Sequence, residues 1–419
     1  MKQKNGTKHL APVCAGAVLG ALALALALPG CSAGGPFGGP AAPDDAISIS
    51  TVARHARVPA DGRHARVAAD DGHARVPVRR PLLIRVPEGR LTSVRVVKDL
   101  DGRRYQVRGR IAVDGLSWRP AEPRLATDAR YSVTATALDG HGRRITRRAG
   151  FATERPPHRL TARTTPAAGG ATVGTGMIFS LDFDRPVEDR AAVRRAVSVT
   201  AEPGVPVAPH WFGDSRLDFR PERPWEPGTR VTLRLRLRDV EAAPGVYGTQ
   251  HRTLRFTVGR AQRSVVDAAD HTLRVIRQGR TATTLPVTAG AARTSTYNGK
   301  MVISEKLRRT RMNGRTVGFG GAYDIPDVPH AMRLTASGTF LHGNYWADDV
   351  FGNTNISHGC VGLRDVRGGG GDTPAGWFYD HSLVGDIVEV VGSDDRAVAP
   401  DNGLGGWNMT WRQWRGDTV

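Results

Sequence analysis

Two histidines and a cysteine fall within nineteen residues of the segment TFLHGNYWADDVFGNTNISHGCVGLRDV (339–366): His342, His358 and Cys360. A cysteine attacks carbonyl carbon as its thiolate. It therefore needs a base nearby, and donors for the oxyanion that forms. His342 closes the strand-like run GTFLH, a rigid place to hold a base. Gly359 directly precedes Cys360, so two consecutive backbone N–H groups can face a developing oxyanion. These are the ingredients of acyl transfer by a cysteine nucleophile. A His–Cys pair of this kind predicts that Cys360 reacts with iodoacetamide well below the free-thiol value of about 8.5. A zinc site made of the same three side chains has the spacing of no metal motif and would quench the thiolate. No metal or other cofactor is expected.

The elements that must hold this segment are read from hydrophobic periodicity. From Ala261 onward, strands are predicted at SVVDA, TLRVIR, TTLPVTAG, MVISEK, GTFLHG and DIVEVVG. They imply a large, mostly β catalytic domain over 261–393 with a loop-rich middle. A Trp-rich tail, 394–419, follows, and its Trp407, Trp411 and Trp414 are expected to anchor it to the folded body. Upstream, residues 81–156 alternate in LLIRV, SVRVV, YQVRGRIAV and YSVTATAL. Turns at Asp101-Gly102, Asp114-Gly115 and Asp139-Gly140 break the alternation, which is the pattern of a small immunoglobulin-like sandwich. Residues 157–260 repeat the theme. In VTLRLRLR, Val231, Leu233, Leu235 and Leu237 face one side and Arg234, Arg236 and Arg238 the other, and a short helix is predicted over 188–197. The fold class is mainly β: two sandwiches, then a β-rich catalytic domain.

The N-terminus carries Lys2, Lys4 and Lys8, then an apolar run from Ala11 to Leu28. That is the layout of a secretory signal peptide over 1–30. The run ends in LPGC, which resembles a bacterial lipobox with Cys31 as the lipidated residue. With Cys14 removed on cleavage, Cys360 is the one free thiol left in an oxidising compartment, which favours a chemical role for it. Residues 31–80 read as a low-complexity linker in which HARV recurs with His55, His64 and His73 nine residues apart. The expected place of the protein is outside the cytoplasm, anchored to the membrane by Cys31 and facing the wall.

The formal charge of +19 suggests nucleic acid until it is divided. Residues 261–419 hold 17 Lys+Arg against 16 Asp+Glu, so nearly all the surplus lies upstream. Export removes nucleic acid as a partner. The basic part is expected to rest near anionic wall polymers by screened attraction.

The motif SHGC with an upstream LHG resembles the L,D-transpeptidases with a YkuD-type catalytic domain. The likeness extends to VISEK, TRMNGRTVG, WFYDHSLVGDIVEVVG and GLGGWNMTWRQW, as in the actinobacterial branch with two immunoglobulin-like domains. The resemblance implies that Cys360 attacks the carbonyl of the third residue of a peptidoglycan tetrapeptide stem and releases D-alanine. The side-chain amine of a second stem then resolves the thioester into a 3→3 cross-link. It further implies that His342 is the base, with its ring oriented by the Gly343 carbonyl, and that His358 shapes the pocket and supports the thiolate. By the same resemblance the N–H groups of Gly359 and Cys360 would form the oxyanion hole, and Ser357 and Gly359 would bind substrate. Tyr323 stands in the substrate lid, and Met312 and Trp346 line the cavity. One departure is Gly362, where many members carry Arg or Asn, so donor-stem recognition by that side chain is not expected here. Two alternatives stay open on sequence: an L,D-carboxypeptidase using the same site with water as acceptor, and a non-catalytic wall-binding lipoprotein.

Overall fold

The computed structural model describes residues 47–51, 75–122 and 124–416. The signal-peptide and Cys31 readings lie outside the described residues, as does the nine-residue repeat except for the end of its last copy from Arg75 on.

The first sandwich packs a four-stranded sheet on a five-stranded one. Ile84, Val96, Trp118, Val133 and Ala135, each at most 3% exposed, fill its core. Asp101 and Gly102 both take positive φ (52° and 75°) between strands Arg90–Leu100 and Arg103–Gln106, as a two-residue hairpin requires. Two sequence expectations are corrected here. The linker does not run unbroken to residue 80. Strand Ser48–Thr51 pairs with Leu82–Arg85, and Arg75–Val76 pairs with Arg144–Thr153. Ile47 and Ile49, alternate positions of a very short run, are buried in the core. Nor is YQVRGRIAV one strand. It divides into Arg103–Gln106 in one sheet and Gly109–Ile111 in the other. At the crossing, Gly109 lies so close to the Trp118 ring that a Cβ would stand 2.1 Å from it.

The second sandwich has two four-stranded sheets and a small three-stranded one. Strand Arg230–Arg236 alternates as its sequence requires, with Val231, Leu233 and Leu235 fully buried. The short helix covers Arg190–Ala196, and the Asp189 carboxylate caps it by accepting the Ala192 N–H at 2.8 Å.

A nine-stranded sheet builds the C-terminal part. Its strands in chain order are β1 (Gln262–Asp267), β2 (Thr272–Arg277), β3 (Arg280–Thr288), β4 (Gly299–Val302), β5 (Glu305–Asn313), β6 (Asp324–Arg333), β7 (Phe340–Asn344), β8 (Val361–Arg364) and β9 (Ile387–Val391). They lie in the order β4-β9-β1-β2-β3-β8-β7-β6-β5. β5, β6 and β8 were not read from the sequence: MVISEK is not one strand but the end of β4 and the start of β5, two prolines and a histidine interrupt β6, and β8 is four residues long. Helix Pro374–Asp380, capped by Thr373, lays Ala375 and Phe378 on the sheet.

The second sandwich and the C-terminal part share one apolar core. Ile178, Phe179 and Phe219 cluster with Val302, Ile387, Leu404 and Trp414. Backbone meets backbone at this seam: a Cβ on Gly174 would stand 2.3 Å from the Asp386 nitrogen. The tail tryptophans pack on the second sandwich. The Arg220 guanidinium lies 4.7, 5.4 and 4.5 Å from the ring centroids of Trp407, Trp411 and Trp414. Burial lowers its pKa to about 10, which still leaves it protonated at neutral pH.

Candidate active site

β7 and β8 are adjacent and parallel, with His342 opposite Gly362 and Leu341 opposite Val361. In this register Cys360, one residue before β8, falls at the level of Phe340, and it lines one cavity with His342 in the middle of β7. The Phe340 N–H, also on β7, donates to Cys360 Sγ at 3.4 Å. The thiol in turn faces the Gly338 carbonyl at 3.6 Å.

His342 is 5% exposed, and its Nδ1 lies 2.9 Å from the Gly343 carbonyl oxygen. A carbonyl only accepts, so Nδ1 carries the proton and Nε2 is the free base. The ring stacks on Trp346 at 5.6 Å and 16°. Gly343 has no room for a side chain, since a Cβ there would lie 1.9 Å from Asp365 Oδ2. Asp365 is a residue that sequence reasoning missed. Its buried carboxylate accepts from Thr373 Oγ1 at 3.0 Å and the Val366 N–H at 2.8 Å, and meets His330 Nδ1 at 2.7 Å. Burial lowers the His342 pKa, while the Gly343 bond and the Asp365 charge partly oppose that shift.

A cavity of about 180 Å³ gathers seven of the sequence-predicted residues: Met312, Tyr323, His342, Trp346, Ser357, His358 and Cys360. Ile325, Asn344, Ile356 and Gly362 complete its wall. A second cavity of about 400 Å³ opens on the other side of His358, lined by Gly359, Phe319, Gly338 and Thr339 among others. The hairpin β5–β6 and its connection cover the site. Met312 comes from β5, and Phe319 and Tyr323 come from the connection. Their rings stand 5.3 and 5.1 Å from that of His358.

Three expectations change. The Cys360 thiol is not activated at rest: burial pushes it up to about 11, against a small lowering by the Phe340 N–H. With the imidazole lowered as well, burial favours the neutral form of both groups at rest, which runs against the expected reactivity well below pH 8.5. His358 makes no hydrogen bond to Cys360; it meets Phe319 edge-on and Tyr323 at a tilt, and forms an aromatic wall between the cavities. The Gly359 N–H, expected in the oxyanion hole, donates to Ser357 Oγ at 3.2 Å. The Ser357 hydroxyl donates to the Cys360 carbonyl at 2.6 Å and so ties the loop together before the nucleophile. Gly359 itself takes φ +101°, a conformation that disfavours side chains.

Comparison with known proteins gives a consistent result. Residues 261–390 match the family described as the L,D-transpeptidase catalytic domain, and residues 73–241 match the bacterial Ig domain. The chain is 33% identical over 345 residues to L,D-transpeptidase 2 of Mycobacterium tuberculosis (strain CDC 1551 / Oshkosh), covering 81% of each chain. It is 28% identical over 315 residues to L,D-transpeptidase 5 of Mycobacterium tuberculosis (strain ATCC 25618 / H37Rv), covering 74% of this chain and 67% of that one. A solved structure of LD transpeptidase LdtMt1 in complex with imipenem aligns with a TM-score of 0.46 and 29% identity. It covers 56% of this chain and all of the other.

Proposed function

Because this chain belongs to the L,D-transpeptidase family, acyltransferases that cross-link peptidoglycan, we propose that it does so through a Cys360 thioester with His342 as the proton carrier. The observation that carries this reading is the pairing of β7 with β8. It sets a thiol and a carbonyl-oriented imidazole on one cavity wall. His342 Nε2 takes the thiol proton as Sγ attacks the carbonyl carbon of the third stem residue. The tetrahedral oxyanion collapses, the C–N bond to D-alanine breaks, and the imidazolium returns its proton to the leaving amine. A thioester remains. The side-chain amine of a second stem attacks it and loses a proton to His342, and Sγ leaves with the electron pair of the C–S bond and is reprotonated. Since thiol and imidazole are neutral at rest, the proton moves during attack and no thiolate is stored beforehand.

The Cys360 N–H is the oxyanion donor in this reading. The Gly359 N–H joins it by exchanging its 3.2 Å bond to Ser357 for the stronger charge. The test is intact-protein mass after incubation with tetrapeptide stems or a carbapenem. An acyl adduct and cross-linked dimers are expected from the parent and neither from Cys360→Ala. Cross-linking that persists in that variant would overturn the reading, and a tripeptide product without dimers would indicate water as acceptor.

The N-terminal pattern supports lipidation of Cys31 and a place on the outer face of the membrane. Cys31→Ala is expected to shift the protein from membrane to medium. The basic stalk supports contact with anionic wall polymers, so binding of the released protein to purified wall should weaken with added salt. A protein that stays membrane-bound without Cys31, or binding indifferent to salt, would count against these two proposals.

A further inference from the structure

The turn that faces the Cys360 thiol is held from outside the active site. Residues Thr335–Thr339 connect β6 to β7, and the turn is closed by the Thr339 N–H donating to Thr335 Oγ1 at 2.8 Å. Its Gly338 carbonyl is the group that faces Sγ. One residue before it, Ser337 is gripped at two points by Asn402. Asn402 Oδ1 accepts the Ser337 N–H at 3.0 Å, and Nδ2 donates to Ser337 Oγ at 2.9 Å. A side-chain amide that directs both its acceptor and its donor at one residue fixes that residue's orientation as well as its distance.

Asn402 is fixed in its turn by the second sandwich. Its neighbours, Asp401 and Gly403, present their carbonyls to Arg216, which donates to them at 2.8 and 2.6 Å. The rest of the Arg216 guanidinium is locked on the buried Asp218 carboxylate at 2.9 and 2.6 Å, with Ser180 Oγ at 3.2 Å. Both partners belong to the second sandwich. Gly403 seats the segment against the turn so closely that a Cβ would lie 2.7 Å from the Leu334 oxygen and 2.9 Å from the Thr335 Cα. A path of hydrogen bonds joined by short covalent links thus runs from Asp218 through Arg216, the 401–403 backbone, Asn402 and Ser337 to the carbonyl opposite the nucleophile.

We infer that Asn402 is a positioning residue for Cys360, and that through it Arg216 makes the second immunoglobulin-like domain part of the machinery that sets the reactivity of the thiol. The inference rests on the reading of Cys360 as nucleophile. Its chemistry is that of orientation. The Gly338 carbonyl accepts the thiol proton at rest and repels a thiolate, so its distance from Sγ decides how readily that proton passes to His342. A misplacement of about 1 Å far from the reacting atoms can cost roughly a hundredfold in rate.

The experiment uses the full chain and three readouts: the rate of Cys360 acylation by a carbapenem, the pH profile of its alkylation by iodoacetamide, and the thermal midpoint. Asn402→Ala is expected to acylate about tenfold or more slowly and to displace the alkylation profile. Ser337→Ala, which removes the Oγ contacts to Asn402 and, at 3.2 Å, to Thr335 Oγ1 but keeps the N–H bond to Asn402, should move both in the same direction by less. Asn402→Asp keeps the acceptor for the Ser337 N–H and lets the hydroxyl turn to donate, so it should recover most of the rate. Asn408→Ala is the control. It removes comparable hydrogen bonds between the tail and Lys300, away from the 335–339 turn. If Asn402→Ala acylates at the parental rate, or slows no more than Asn408→Ala at an equal loss of thermal midpoint, the inference is overturned. Failure of the underlying reading looks different: Cys360→Ala would keep its cross-linking activity.

Discussion

At the scale of the residue, the chemistry depends on two groups that burial makes neutral. The Cys360 thiol is raised to about 11 and His342 is lowered from its ordinary 6.5. For an imidazole, burial disfavours the charged form, so the free base persists to lower pH than it would in water. The acid limb of the acylation rate is therefore expected below pH 6.5. On the alkaline side, alkylation of the free enzyme by iodoacetamide should keep rising toward pH 11, with no plateau below 8.5. Both are read by following adduct mass against pH. A half-rate at or above 6.5, or a thiol saturating near neutrality, would contradict the neutral pair. Cys360 and His342, which share one cavity, were legible in the sequence because their types and spacing suit the proposed chemistry directly. Asp365 and Asn402 were not. Each is an ordinary polar residue whose meaning comes from a partner 35 or 65 positions away in the chain.

At the scale of the element, the parallel pair β7–β8 holds the proposed nucleophile and base, and the hairpin β5–β6 roofs them. The roof meets the catalytic turn at Gly338, where a Cβ would stand 2.4 Å from Val317 Cγ1. Tyr323 hangs from the connection into the cavity, against His358. Tyr323→Ala should leave the fold intact and uncover the cavity, with kcat/KM for the donor stem falling by about tenfold, the scale of a lost contact of roughly 1.4 kcal/mol. Steady-state kinetics with an unchanged thermal midpoint checks this, and a parental kcat/KM would remove Tyr323 from the lid role. Most strands of this part announced themselves by alternation. β6 did not, because Pro326, Pro329 and His330 hide its pattern, and His330 takes φ +50° within it.

At the scale of the whole molecule, the two sandwiches differ in how they are joined. The first meets the second through polar contacts. Asp239 accepts from the Thr127 N–H and hydroxyl, and Arg79 and Arg238 pair with Glu241 and Asp101. The second is fused to the catalytic sheet by a shared apolar core. Polar, partly exposed ion pairs contribute little, whereas buried aromatic surface contributes several kcal/mol. Calorimetry is expected to resolve two transitions, one for the first sandwich and one for the fused unit. Trp414→Ala, which empties a fully buried site between sandwich and tail, should destabilise the second transition alone by about 3–5 kcal/mol. A single transition that shifts as a whole would show that the three parts unfold together.

The sequence by itself determined the mainly β class, the division between a basic stalk and a nearly neutral C-terminal part, and the two residues proposed as nucleophile and base. Those follow from local quantities: alternation along a strand, turn residues, charge per segment, and a reactive side chain with glycines beside it. Only the tertiary structure decided the protonation of the pair, the direction of the Gly359 N–H and the fusion of the second sandwich to the catalytic sheet. It also decided the support of the catalytic turn from Arg216 and Asn402. The physical reason is common to all of them. Burial, hydrogen-bond direction and packing belong to groups that meet across long stretches of chain, and a sequence lists residues without stating which of them will touch.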